Sequence, residues 1–513
     1  MRKKTKFGAA QLVVLTLIAV FVLAASFSMT PKKANAVPAF AQKYHYACSV
    51  CHTVFPNLNP FGRAFWRNGF RLPGTDGTPA DATQISAGLS LPNPWPVPIM
   101  VEPIISYQHY TNENVSPSTD AFGAGADIVD AGAFPLYNPL FNSLSFYVHI
   151  GIPGGKMKQV FASLNGFLYG FGIPSHLFNL KLGQVTTASP YFYRQAPFYI
   201  PGGPIINGQG LAVGFDGEAG VLIHSRDAGF ALYGTPGYHL WYKVTVTNDA
   251  GTCNYYYAPC GGPYPPLDYA SGVGTASGGG NKVSNAIEYS YQLKEYMPTS
   301  MGQLEFGYYG ATVAEPLTFE TNYEISGGGS WTDRVTVNGV DADLANNVYE
   351  LGATYMVQSD SNPYNNPSSG STLIGTDPFA YVYGTSNGYS TFEAYARYIL
   401  PVMNNGIMLS ADYAQYSWTH KDEQEAFIYD GTTGAQYCNS LAAWNNSLYT
   451  PDSGLYQYGV YTNNQGYCGE GIKDAVALQA TINLALNAHL YLAYLWTNKD
   501  QDNTFGTGLD FAF

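Results

Sequence analysis

The sequence predicts an all-β fold: a transmembrane antiparallel β-barrel of about 16 strands behind a small N-terminal helical unit. Three observations carry this. Charged residues make up only 12% of the 513-residue chain, aromatics reach 15%, and there are 43 Tyr and 56 Gly. An average soluble chain holds about 25% charged residues. From Ile99 onward, apolar and polar residues alternate in segments of about ten, the period of a half-exposed strand in a transmembrane barrel. Beyond the N-terminus, no run approaches the ~18 apolar residues of a spanning helix. A secreted soluble sandwich also alternates. Low charge, strand length and long Tyr-rich connections favour the barrel.

Residues 1–36 read as a secretory signal. Arg2, Lys3, Lys4 and Lys6 form a positive start, and Leu12 to Ala25 is an apolar or small-residue run. Ala34-Asn35-Ala36 fits the small-x-small cleavage pattern, so the mature chain is expected to begin at Val37. An uncleaved anchor is the alternative. Either delivers the next segment across the inner membrane.

Residues 37–74 form the helical unit, organised on Cys48-Ser49-Val50-Cys51-His52. This C-x-x-C-H pattern is the attachment signature of a c-type haem. The thiols of Cys48 and Cys51 would bond the porphyrin, and His52 would be the proximal iron ligand. A zinc site would need a second closely spaced pair, and the chain has none. A thioredoxin-type pair would need a βαβ context, which is missing here. Asn59 is suited to cap a short helix with Pro60 at its first position. Phe61, Ala64, Phe65 and Phe70 would give that helix an apolar side for the porphyrin. Arg63 and Arg67, four apart, would share its other side, facing solvent or the haem propionates.

Lys43, Arg63, Arg67 and Arg71 are the charged residues of 37–74, whereas the whole chain carries −13. A small basic unit is thus joined to a strongly acidic remainder, which favours docking of one on the other. Residues 75–98 read as a Gly/Pro/Asn-rich linker. Leu91-Pro92-Asn93-Pro94-Trp95-Pro96-Val97-Pro98 lacks ladder donors at its prolines.

Residues 99–513 are the predicted barrel. In Ala475–Leu484, Val476, Leu478, Ala480, Ile482 and Leu484 share one face, and Ala477, Gln479, Thr481 and Asn483 the other. In Thr391–Leu400, Phe392, Ala394, Ala396, Tyr398 and Leu400 oppose Glu393, Tyr395 and Arg397. Similar runs lie near 99–110, 142–152, 159–170, 177–186, 209–225, 238–248, 283–296, 302–314, 346–358, 405–419, 487–497 and 504–513. Asn404-Asn405-Gly406 and Leu486-Asn487-Ala488 are tight joins, whereas 249–280, 359–389 and 420–470 are long. Short turns on one rim and long loops on the other suit an outer-membrane barrel. Cys253, Cys260, Cys438 and Cys468 lie in the long stretches. Oxidising conditions favour pairing, and proximity suggests Cys253–Cys260 and Cys438–Cys468 among three connectivities.

A C-x-x-C-H motif near the mature N-terminus, a barrel pattern and a terminal Phe513 together resemble a known arrangement. The local match runs from Pro38-Ala39-Phe40-Ala41 through the motif to Pro56-Asn57-Leu58-Asn59-Pro60-Phe61-Gly62-Arg63-Ala64-Phe65. It resembles the fused outer-membrane cytochrome–porin family, the iron-oxidising outer-membrane monohaem cytochromes c. The resemblance implies one haem c in the barrel lumen, held by Cys48, Cys51 and His52. It further implies electron uptake from an extracellular donor such as Fe(II), delivery to a periplasmic electron carrier, and insertion signalled by Phe513. The distal ligand does not carry over. Met100 could reach back to the iron, and His45 is the alternative, on a short tether. A Met ligand would raise the potential.

Two other classes stay open: a passive porin with a haem gate or sensor, and a haem enzyme acting on a small molecule. Asp422, Glu423 and Glu425 are a weak candidate patch for cations. No catalytic triad, nucleotide loop or nucleic-acid patch stands out.

Overall fold

The structure is a computed structural model. It describes residues 39–54, 57–73, 83–86, 89–91, 99–112, 116–136, 138–152, 156–186, 226–248, 287–318, 330–360, 387–400, 406–418, 474–485, 488–497 and 503–511. The expected signal, Phe513, the four later cysteines and Asp422, Glu423 and Glu425 lie outside the described residues, as do run 209–225 and the turn residues Asn404 and Asn405.

Helix α1 (Ala39–Tyr44) precedes a single 3-10 turn at Cys48–Val50. A short ribbon of β1 (His52–Val54) and β2 (Asn57–Leu58) leads into helix α2 (Pro60–Arg67). The expected linker contains a second ribbon, β3 (Thr83–Ser86) with β4 (Leu89–Leu91).

The barrel strands follow. They are β5 (Met100–Asn112), β6 (Ser116–Pro135), β7 (Ser143–Ile152), β8 (Lys156–Asn165), β9 (Asn179–Thr186), β10 (Arg226–Gly234), β11 (Leu240–Asn248) and β12 (Ile287–Thr299). Then come β13 (Gly302–Thr318), β14 (Ser330–Ala345), β15 (Tyr349–Asp360), β16 (Asn387–Leu400), β17 (Ile407–Trp418), β18 (Asp474–Ala485), β19 (Ala488–Thr497) and β20 (Asn503–Phe511). These sixteen close into one barrel, each antiparallel to its neighbours, with β20 paired to β5. Closure leaves no unpaired edge.

The alternation in the sequence sets which side faces out. On β16, Phe392 is 40% exposed and Glu393 0%, and Tyr395 and Arg397 are also buried. On β18, Leu478 is 48% exposed and Gln479 5%. The wall is apolar outside and polar inside, the reverse of a soluble barrel and the arrangement suited to hydrocarbon. Among the described residues no helix is long and apolar enough to cross a membrane.

The sequence reading missed three strands. In β10 the inward Ala231 and Tyr233 are as apolar as the outward Phe230 and Leu232, so no alternation shows. In β6 the segment Gly123-Ala124-Gly125-Ala126 has side chains too small to alternate visibly. In β14 the inward Asp341 and Asp343 interrupt the pattern, and their burial depends on partners distant in sequence. Run 159–170 also overran: β8 stops at Asn165, and a turn with positive φ at Gly166 and Leu168 follows.

The four longest connections, 187–225, 249–286, 361–386 and 419–473, leave from one rim. The opposite rim has joins as short as 300–301 between β12 and β13. Met100 at the start of β5 belongs to this short-connection rim, and so do Glu305, Asp343 and Glu350 near the ends of β13, β14 and β15.

Candidate functional site

The N-terminal segment packs against the inward face of the barrel at the short-connection rim. Each of its four cations reaches the wall. Lys43 donates to Ala133 O at 3.0 Å. Arg63 Nη1 donates to Asp343 Oδ1 at 2.7 Å, and its Nη2 lies 2.7 Å from Glu350 Oε1. Arg67 grips Glu305 with two bonds, 3.1 and 2.8 Å. Arg71 donates to Ser175 O and, at 2.9 Å, to Asn179 Oδ1. The charge asymmetry in the sequence thus does report docking. Arg63 and Arg67 depart from expectation: both are buried, and they meet wall carboxylates rather than solvent or propionates.

The wall side of this contact is itself a network. Lys294 pairs with Asp341 and lies 3.5 Å from Glu305. Arg397 lies 3.2 Å from Glu350, and the Tyr395 hydroxyl donates to Asp343 and to Glu350. Arg67 also sits over the rings of Trp241 and Tyr296, at 5.2 and 4.9 Å. Burial alone would lower the affinity of Arg63 for its proton. The carboxylates of Glu350, Asp343 and Glu305 outweigh that and hold it well above the ordinary guanidinium value. Sequence reasoning missed Glu305, Asp343 and Glu350. Their only trace is an isolated charge at inward strand positions.

The C-x-x-C-H turn is fixed from below by Asn59. Its Oδ1 accepts from Gly62 N at 2.9 Å and caps α2, with Pro60 at the first helical position as expected. Its Nδ2 donates to Val50 O at 2.9 Å and Ser49 O at 3.2 Å, and its backbone N donates to Cys51 O at 2.9 Å. One side chain therefore ties the helix to the motif. Gly62 allows the close approach: a Cβ there would lie 2.1 Å from Cys51 O.

Above this turn lies a partly open cavity. Cys48, Cys51 and His52 line it from the motif, Phe61, Phe65, Trp66 and Phe70 from and beyond α2, and Met100, Val129, Ala131 and Tyr147 from the barrel. The aromatic walls interlock, with Trp66 and Tyr147 ring centroids 5.1 Å apart and edge to face. Met100 is 7% exposed and belongs to this apolar cluster. Cys48 and Cys51 are free thiols. Burial, and then the neighbouring Cys48 sulfur, push Cys51 up to about 11.

Of the expected ligands, the structure brings Cys48, Cys51, His52 and Met100 to one cavity. His45 is exposed, in left-handed backbone with φ 54°, and does not line it. Phe61, Phe65 and Phe70 line it as expected, whereas Ala64 does not. Among the described residues no group of three or more His, Cys, Asp or Glu is placed to hold a metal ion.

No protein-family model and no curated protein matches the sequence. Similar solved structures include outer-membrane-expressed OmpT of Vibrio cholerae, at 10% identity and TM-score 0.43, covering 84% of this chain and 100% of that one. The anion-selective porin from Comamonas acidovorans is similar at 10% identity and TM-score 0.45, over 81% and 99%. Salmonella typhi OmpF in complex with daunomycin is similar at 11% identity and TM-score 0.43, over 81% and 97%.

Proposed function

We propose that this chain is an outer-membrane electron-transfer cytochrome c. It takes electrons from an extracellular donor, Fe(II) being the one the family resemblance suggests, and passes them to a periplasmic carrier. One observation carries the reading: the two thiols and the imidazole of C-x-x-C-H share an aromatic cavity with a buried thioether from the barrel wall. Those side chains fit a c-type haem. A site for free metal would want several charged donors, and a solute channel has no need of an apolar recess beside its wall.

A haem bound there would supply a one-electron couple. The chain does the rest. Cys48 and Cys51 would tether the ring and His52 would ligate the iron, in an orientation set by Asn59. Phe61, Phe65, Trp66 and Tyr147 give the site an apolar lining. The Arg63 and Arg67 pairs hold the segment inside the cylinder.

Short turns face the periplasm in outer-membrane barrels. The cavity at that rim then sits close to a periplasmic carrier, and a donor from outside comes down the lumen. Hydrocarbon excludes ions, so a charged donor reaches the haem through the polar lumen and not through the wall. A second reading, a passive porin gated by the N-terminal segment, is favoured by the polar lumen wall.

Purification in detergent, haem staining and stopped-flow mixing with Fe(II) test the first reading. It predicts covalent stain, lost in Cys48→Ala, and reduction of the haem band. Absence of covalent haem, with steady solute conductance in planar bilayers, would support the porin instead.

A further inference from the structure

We infer that Met100 is the second axial ligand of the haem, so that the cofactor bonds the N-terminal segment on one side and the barrel wall on the other. This rests on the haem reading above. Among the described histidines and methionines, only His52 and Met100 line the cavity. Met356 and Met408 are buried elsewhere, and Met297 and Met301 are exposed. His149, His176, His239 and His489 stand outside it.

Strand geometry aims Met100 inward. Its neighbour Ile99 is exposed, and the inward parity of β5 continues through the buried Glu102. The register partner of Met100 is Val129, which also lines the cavity. An unbranched thioether has three rotatable bonds and adapts its reach. It also leaves no polar atom that must find a hydrogen bond in an apolar recess.

The competing donors are phenols, since Tyr can ligate haem iron. Tyr44 and Tyr46 flank the motif on its own tether, and their rings stack 5.9 Å apart. The Tyr147 ring is packed against Trp66, Phe70 and Phe161. Met100 and Tyr147 are the lining donors that come from the barrel, and of these two only the Tyr147 ring is held in ring–ring packing. Bonding to Met100 makes the cofactor a staple between segment and barrel, additional to the Arg63 and Arg67 pairs.

The test is optical and magnetic spectroscopy of the detergent-purified haem-loaded protein, with Met100→Leu and Met100→His variants. Leu keeps the volume and so tests ligation apart from packing. The wild type is expected to be low-spin, with the weak long-wavelength ferric band of thioether ligation. Met100→Leu should lose that band, become high-spin and bind carbon monoxide in the ferrous state faster than wild type. Met100→His should return to low-spin without the band and at a lower potential, because imidazole replaces a thioether. A high-spin wild type, or a Leu variant with unchanged spectrum, would overturn the inference while leaving covalent haem standing. Absence of covalent haem in the wild type would remove both.

Discussion

Arg63 offers the sharpest test of how the N-terminal segment is held. It is buried among Asp343 at 2.7 Å, Glu350 at 2.7 Å and Glu305 at 3.8 Å. Arg63→Ala strands these carboxylates. Removing one partner of a buried pair costs about 3–5 kcal/mol. The cost here falls at the lower end, because Glu350 keeps Arg397 and Asp343 keeps the Tyr395 hydroxyl. About 3 kcal/mol corresponds to roughly a hundredfold rise in the undocked population, at 1.4 kcal/mol per decade. Limited proteolysis of the intact barrel in detergent, followed at Lys43 and Arg71, reads that population when docking is fast relative to cleavage. Arg67→Ala should have a smaller effect, since Glu305 keeps Lys294 at 3.5 Å. Asp343→Asn added to Arg63→Ala should recover part of the loss, as a double-mutant cycle would measure. Wild-type cleavage rates in Arg63→Ala would refute the view that these pairs hold the segment in the lumen.

Four further outcomes follow from the motif turn. Asn59→Ala removes the cap of α2 and both bonds to the motif carbonyls, so the segment should lose about 1–2 kcal/mol. Asn59→Asp keeps the cap but sets a carboxylate oxygen against the Ser49 and Val50 carbonyls, so it should be no better protected than Asn59→Ala in the same proteolysis assay. Gly62→Ala drives a Cβ against the Cys51 carbonyl and should displace the turn, lowering the ratio of covalent haem to protein measured by pyridine haemochrome. In haem-free protein, Cys51 with its value raised to about 11 should be mostly thiol at neutral pH. Only thiolate attacks, so alkylation by iodoacetamide should be slow near pH 7 and accelerate as pH rises toward 11. A rate already at its plateau at pH 7 would contradict the buried environment.

Much of the barrel was legible because its strands obey one simple rule. Period-two alternation at Phe392–Glu393 and Leu478–Gln479 tells inside from outside without any tertiary information. The rule fails where side chains are too small to signal, as in β6, and where inward charges depend on remote partners, as with Asp341 and Asp343. The Asn59 cap was legible because a cap is local. The role of Arg63 and Arg67 was half legible: opposite net charges indicated docking, but not which acids receive them. Those acids sit about 240 to 290 positions later, and only barrel closure brings them near. His45 against Met100 was undecidable from spacing: His45 sits on a short tether beside the motif, whereas Met100 must reach back from the start of the first strand. The left-handed turn at His45 and the inward parity of β5 separate them.

The segment is held from two sides of one helix, and that division has a mechanical consequence. Phe61 and Phe65 lie four apart and face the cavity, whereas Arg63 and Arg67, also four apart, face the acidic wall. Helical spacing keeps these pairs on separate faces. If a haem fills the cavity, as proposed above, its loss would empty one face and leave the other in contact. Cys48→Ala protein should therefore lose covalent haem yet keep Lys43 and Arg71 protected, unlike Arg63→Ala. Exposure in Cys48→Ala as large as in Arg63→Ala would mean that the apolar face contributes as much to retention as the ion pairs do.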